Sequence, residues 1–250
     1  MTTLYVNCAI IIVLVVTLDT VLCLLGGGMT WQTNAPHYQP HASQFAFGLK
    51  GACTLLALAC CDVVSKGIHA WVGDPHQPNP NPASTENVQA VMYRIYKEAR
   101  QRTDPATGGP CCAPNGAATQ SGMLAMAGYI GLPVADVLHY ADVQPTAAWV
   151  DFLRRNVAHA TRPRPVLMQV SNGRAAKDAN TGAVDEPDLQ SHAIAVLGTM
   201  IDPSDPTKGG YIVCDGDNPS IANGPVIYSL QTLAAMHPTS MIAFNYKEGT

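Results

Sequence analysis

Helix-period patterns up to about residue 160, followed by strand-period patterns, predict an α+β fold for this 250-residue chain. Segregation of this kind builds a helical part on an antiparallel sheet, whereas strict alternation would build a parallel βαβ sheet. The length allows one sizeable core or two small ones. The composition is 47% hydrophobic and 13% charged, against about 25% charged in an ordinary soluble domain. That much apolar side-chain area excludes global disorder.

The elements follow in chain order. Residues 4–25, LYVNCAIIIVLVVTLDTVLCLL, are polar only at Asn7, Thr17, Asp19 and Thr20, and 22 residues at about 1.5 Å each span a hydrocarbon core. The segment reads as a membrane helix. It also reads as a secretory signal with Gly26, Gly27 and Gly28 as small residues for cleavage, although no Lys or Arg precedes it. A third reading starts the protein at Met29, since Asp19 near mid-bilayer costs about 2.5–3.5 kcal/mol on insertion scales. Residues 1–28 are thus a hydrophobic segment preceding one domain over 29–250. The protein is expected to be membrane-associated or secreted, or cytoplasmic or virion-borne if Met29 is the start. The first basic residue is Lys50, so flanking charge sets no orientation.

Within the domain, Gly51–Lys66 places apolar residues at 52, 55, 56, 59, 60 and 63, the spacing of a helix buried on more than one face. Residues 74–84, DPHQPNPNPAS, carry four prolines in eleven positions and predict an extended linker. Ser84 or Thr85 then caps a helix with Val88, Val91, Met92, Ile95 and Tyr96 inside. Weaker helical patterns cover 119–131 and 149–158. Short β-type runs follow at 165–170, 191–200, 210–214, 225–228 and 239–244, separated by Gly, Asp, Asn and Pro.

Several function classes are excluded. A net charge of −4 with scattered basic residues offers no grip on a phosphate backbone, so no nucleic-acid partner is expected. No H-E-x-x-H, C-x-x-C or phosphate-loop pattern occurs, so neither a metal nor a cofactor is expected. The aspartates at 202, 205, 215 and 217 lack EF-hand spacing. Arg94, Lys97, Arg100 and Arg102 read as a solvated helix face.

Chemistry is sought at His192. It opens a run, AIAVLG, that is apolar on both faces, as in a central strand with its first residue at the rim. A hairpin of 191–200 with 210–217 around the turn DPSDPTKG would set His192 opposite 217–219. Asp217 would then orient the imidazole, with Asp215 the second choice because this register carries it towards Val196. The nucleophile is sought among the eight cysteines. Cys53 follows two small residues at the start of the most buried helix, where first-turn N–H groups and the helix dipole favour a thiolate. Gly51 and Ala52 would let a substrate backbone approach. Gln44 and the Cys53 amide would hold an oxyanion. Cys112, in CCAPNG, is the alternative nucleophile, but the Pro-Asn-Gly turn delays its helix to about residue 117.

Cys53 at a helix start, then a strand led by His192, then a strand ending in an Asp resembles the papain-like cysteine peptidase superfamily over residues 41–246. The resemblance implies a helical half facing an antiparallel β half across a cleft. It also implies thiol-dependent acyl transfer by Cys53, His192 and Asp217, with Gln44 at the oxyanion and no cofactor. The segments RPVLMQV, SHAIAVLG, GYIVCDGDNP and VIYSLQTL are similar to the bacteriocin-leader-processing peptidases, whose spacing selects Cys112. SQFAFGLKGACTLLALACC is similar to the nucleophile segment of herpesvirus tegument deubiquitinases, whose D-x-H motif this chain lacks. The implied partner is a peptide or protein substrate, including a ubiquitin-like one. A catalytically silent papain-like module that binds a partner is the competing reading.

Overall fold

The computed structural model describes residues 32–33, 48–49, 51–66, 85–139, 142–143, 146–158, 163–171, 191–202, 205–218 and 226–246. The apolar segment 4–25, Gln44 and the Pro-rich stretch 74–84 lie outside the described residues. Among the described residues, no helix is long and apolar enough to cross a membrane.

In chain order the elements are β1 (Gln32–Thr33), α1 (Cys53–Lys66), α2 (Thr85–Gln101), α3 (Gln120–Tyr129), β2 (Val134–Leu138) and α4 (Thr146–Leu153). Then come a wider π-type turn (Arg154–Ala158), β3 (Val166–Ser171), β4 (Ser191–Asp202), β5 (Asp205–Cys214), β6 (Val226–Tyr228), α5 (Leu230–Ala235) and β7 (Pro238–Phe244). The chain is α+β, a helical part followed by an antiparallel sheet. Six strands run in the order β2-β7-β3-β4-β5-β6, and β1 joins the far end of β4 through Gln32 opposite Ile201.

Helix α1 is buried at every position from Ala52 to Ser65. A helix apolar all round needs cover on all sides, and α1 has it, lying against β4 and β3 on one side and α2 and α3 on the other. Helix α2 turns Val88, Val91, Met92, Ile95 and Ala99 inward, the 3–4 spacing of a one-faced amphipathic helix. Tyr96, placed on that stripe by spacing, is only partly buried, and its hydroxyl donates to the Pro114 carbonyl at 2.9 Å.

The sheet is covered on both faces, and strand alternation sorts the residues. Leu167, Ala193, Ala195, Leu197, Ile212, Ile242 and Phe244 join the core around α1. Val166, Met168, Val170, Ile194, Val196, Val213 and Met241 join a second core with Trp149, Phe152 and Leu233. β4 is central, between β3 and β5.

Three features depart from the pattern expected from sequence. β2 was hidden because VADVL is short, carries an Asp and is mostly half-exposed. α5 is a six-residue helix capped by Ser229, whose hydroxyl accepts from the Thr232 N–H. The fourth helix begins at Thr146 and ends in the π-type turn, where buried Asn156 donates to both the Phe152 carbonyl and Asp136 on β2. The wider turn thereby bonds to the sheet edge.

The β4–β5 hairpin also differs, and this difference moves the site. Both strands extend into the expected turn DPSDPTKG until Asp202 faces Asp205. Shifts between Ile201 and Asp202 and between Val196 and Gly198 then set Val196 opposite Val213 and Ala195 opposite Cys214. The expected register had Val196 near Asp215, two residues away.

Candidate active site

Cys53 is the first residue of α1, and the helix start is fixed by the loop that follows α2. Gly51 N–H donates to the Asn115 carbonyl at 2.9 Å, and Leu56 N–H donates to the Ala52 carbonyl at 2.8 Å. Gly116 sits on this turn at φ +94°, where a Cβ would lie 3.0 Å from Ala52 Cα. Only glycine holds that left-handed conformation at so close an approach without strain. The space that small residues at 51 and 52 were expected to leave for a substrate is therefore filled, on this side, by the protein's own 115–117 loop.

The loop is anchored in turn. Asp104, itself buried, accepts from the Ala106 N–H and the hydroxyls of Thr119 and Ser121, at 2.9–3.0 Å. Arg100 Nη1 donates to the Cys112 carbonyl at 2.9 Å. Gln169 on β3 donates to the Ala118 carbonyl at 3.4 Å and accepts from Ser240 at 2.5 Å.

His192 lies near the start of β4, opposite Val170 of β3 and 5% exposed. Its Nε2 meets Asp215 Oδ1 at 2.7 Å. The Cys53 thiol also hydrogen-bonds to the His192 ring. The same sulfur lies 3.9 Å from both the Thr54 hydroxyl and the Gly51 carbonyl.

The acid beside His192 is Asp215 and not Asp217. Ladder pairing of β5 ends at Cys214, and residues 215–218 turn, with Asn218 N–H donating to the Asp215 carbonyl at 3.1 Å. Asp215 is thus the first residue off the ladder and reaches the ring diagonally, a span that side chains bridge. Asp217 meets the site through its backbone N–H, which donates to Asp215 Oδ1 at 3.1 Å. The other Asp215 oxygen accepts from the Tyr228 hydroxyl at 2.6 Å, and Asn218 Nδ2 donates to that hydroxyl at 2.9 Å. A run of bonds therefore connects Asn218, Tyr228, Asp215, His192 and Cys53. Tyr228 and Asn218 escaped sequence reasoning. The pairing that ends β6 at Tyr228, opposite Tyr211, is seen only in the fold.

The electrostatics follow from these contacts. Burial opposes charge on His192, but the Asp215 and Cys53 partners outweigh it and raise the imidazole to about 10. Burial likewise opposes the Cys53 thiolate, yet His192, the Thr54 hydroxyl and the Ala193 N–H together lower its pKa below the ordinary thiol value. Asp215 is held low in spite of burial by His192, Tyr228 and the Asp217 N–H. Burial and the Asp215 carboxylate push the Tyr228 hydroxyl well up, so it stays a donor. The arrangement favours a thiolate–imidazolium pair beside an ionised carboxylate.

Burial instead raises the thiols of Cys60, Cys61 and Cys111. Cys112, the alternative nucleophile, is raised to about 11, with its sulfur on the Tyr96 carbonyl at 4.0 Å. The groups acting on His192 are Asp215 and Cys53, and Cys112 is not one of them. Gln44, the expected oxyanion donor, lies outside the described residues. An open cavity beside the 110–119 loop has Arg100, Asp104, Cys112 and Thr119 in its wall but neither Cys53 nor His192. No cluster of three or more His, Cys, Asp or Glu able to hold a metal occurs among the described residues.

Comparison with protein-family models, with curated proteins and with solved structures returned no match for this chain.

Proposed function

We propose that this chain is a cysteine peptidase or isopeptidase with a papain-like fold, acting through Cys53, His192 and Asp215. The observation that carries the reading is the His192 ring, bonded on one side to Asp215 and on the other to a cysteine in the first turn of a buried helix. The papain-like arrangement is supported by a nucleophile helix from the helical part set against an antiparallel sheet, with Cys, His and Asp in that chain order.

The chemistry runs in two halves. The Cys53 thiolate adds to a peptide or isopeptide carbonyl, forming a C–S bond, while the negative charge moves to the carbonyl oxygen. The Cys53 amide and Gln44 would hold that oxygen. As the C–N bond breaks, His192 gives its proton to the leaving amine, and the product is a thioester on Cys53. Neutral His192 then takes a proton from water, hydroxide adds to the thioester carbonyl, and the acid leaves as the thiolate reforms. Asp215 keeps the ring in place and stabilises its charge through both halves. Residues 4–25, by their length and apolarity, would hold the domain at a membrane.

The test is labelling with a generic peptide electrophile and with a ubiquitin-derived one, on wild type, Cys53→Ala and Cys112→Ala. The proposal expects labelling of wild type and Cys112→Ala by at least one probe, and none of Cys53→Ala. Labelling that survives Cys53→Ala overturns the assignment. A protein inert to both probes supports the silent binding module instead.

A further inference from the structure

We propose that Tyr228 is a positioning residue that acts on Cys53 through Asp215 and His192, and that Asn218 sets the direction of its hydroxyl proton. The inference rests on the nucleophile reading above and adds to it the residues that decide why position 215 carries an acid.

The argument is one of donors and acceptors. Asp215 Oδ1 already faces His192 Nε2 at 2.7 Å and the Asp217 N–H at 3.1 Å. Oδ2 faces the Tyr228 hydroxyl at 2.6 Å. Asn218 Nδ2 donates to that hydroxyl oxygen at 2.9 Å, and an amide nitrogen has no lone pair to accept a proton in return. The hydroxyl hydrogen is therefore left to point at Oδ2. Both oxygens of residue 215 must accept, which a carboxylate does and an amide cannot, because an amide would set NH2 against a donating hydroxyl.

The architecture supports a dedicated contact. β6 approaches β5 so closely that a Cβ at Gly210 would lie 2.2 Å from the Tyr228 carbonyl oxygen. That approach fixes the Tyr228 end of β6 on β5, and the 215–218 turn follows the Val226 end of the pair, so the Tyr228 side chain reaches back along the strands to Asp215. The charged and titratable groups around Asp215 are His192 from β4, Asp217 from the turn and Tyr228 from β6. With its hydroxyl removed, the carboxylate loses a charge-assisted donor and the ring loses its fixed orientation. The thiolate is then formed only at higher pH.

The experiment follows the pH dependence of Cys53 alkylation by iodoacetamide, mapped by peptide mass spectrometry. The proteins are wild type, Tyr228→Phe, Asn218→Ala, Asp215→Asn and the Tyr228→Phe/Asp215→Asn double variant, with Tyr246→Phe as control. Tyr246 donates to the Pro163 carbonyl, away from this chain of bonds. In Tyr228→Phe the lower limb should move up by about one pH unit, about tenfold slower alkylation along that limb. Asn218→Ala should move it the same way by less, and Tyr246→Phe not at all. Asp215→Asn should slow alkylation by a larger factor in wild type than in the Tyr228→Phe background, where no hydroxyl opposes the amide. A Tyr228→Phe profile that overlays wild type, or effects that simply multiply in the double variant, overturns the proposal. If wild-type Cys53 itself titrates as an ordinary thiol near 8.5, the nucleophile reading is what has failed.

Discussion

Replacing Asp215 by Asn removes one charge and little volume, so its effect on His192 can be worked from the contact itself. Nε2 and Oδ1 are 2.7 Å apart, and the two side chains are 6% and 7% exposed. Solvent screening of the pair is therefore slight. Taking the charge centres as about 4 Å apart at an effective dielectric constant of about 20, the interaction is about 4 kcal/mol. At 1.36 kcal/mol per pKa unit this is about three units. His192, raised to about 10 in the native protein, should fall close to its ordinary 6.5 in Asp215→Asn. The assay is NMR titration of the ring carbons in histidine-labelled protein. The signal among the eight histidines is assigned by its loss in His192→Gln. The reasoning is refuted if wild-type His192 titrates near 6.5, or if Asp215→Asn moves it by less than about half a unit.

Three further perturbations test other links. Gly116→Ala adds a Cβ 3.0 Å from Ala52 Cα at φ +94°. Left-handed strain and overpacking together should cost about 2–4 kcal/mol, a fall of about 5–15 °C in Tm by calorimetry, with slower Cys53 alkylation. An unchanged Tm would show that the loop does not clamp the helix start. Phe152→Ala, in the second core and fully buried, should cost about 3–5 kcal/mol yet leave Cys53 alkylation unchanged below the melting transition. A parallel loss of reactivity would contradict that separation of the cores. The His192 contribution to stability should be fully present below about 6.5 and be lost as pH rises through about 10, because its folded pKa lies above its unfolded value. Melting temperatures from pH 7 to 11 should therefore fall more steeply in wild type than in His192→Gln, and parallel curves would refute the linkage.

The legible parts of the sequence were those governed by local periodicity. Apolar spacing along 51–66 marked the helix that is buried all round, and the apolar run after His192 marked the strand with both faces covered. The order of Cys53 and His192 along helix and strand suggested which thiol and which ring to pair. The acid was misplaced by two residues, because strand register depends on where a hairpin closes and where its bulges fall. Neither the tight closure at Asp202 and Asp205 nor the shift at Val196 and Gly198 has a local sequence signature. Tyr228 was invisible for a related reason. The run PVIY reads as a short strand, and nothing in four residues says that its last side chain meets a carboxylate in the turn after the neighbouring strand. Filling of the space beside Gly51 by the 115–117 loop was a long-range contact, and Gly116 offered only its permissiveness as a hint.

The central claim is that Cys53 is the activated thiol, and selective alkylation at acidic pH tests it most directly. Native protein is treated briefly with iodoacetamide at pH 6, quenched and digested, and the modified cysteines are mapped. The account predicts modification concentrated on Cys53, where His192 favours the thiolate, with Cys60, Cys61, Cys111 and Cys112 protected by burial and raised pKa values. Modification of Cys112 ahead of Cys53, or a Cys53 rate at pH 6 no greater than that of a free thiol, would contradict it.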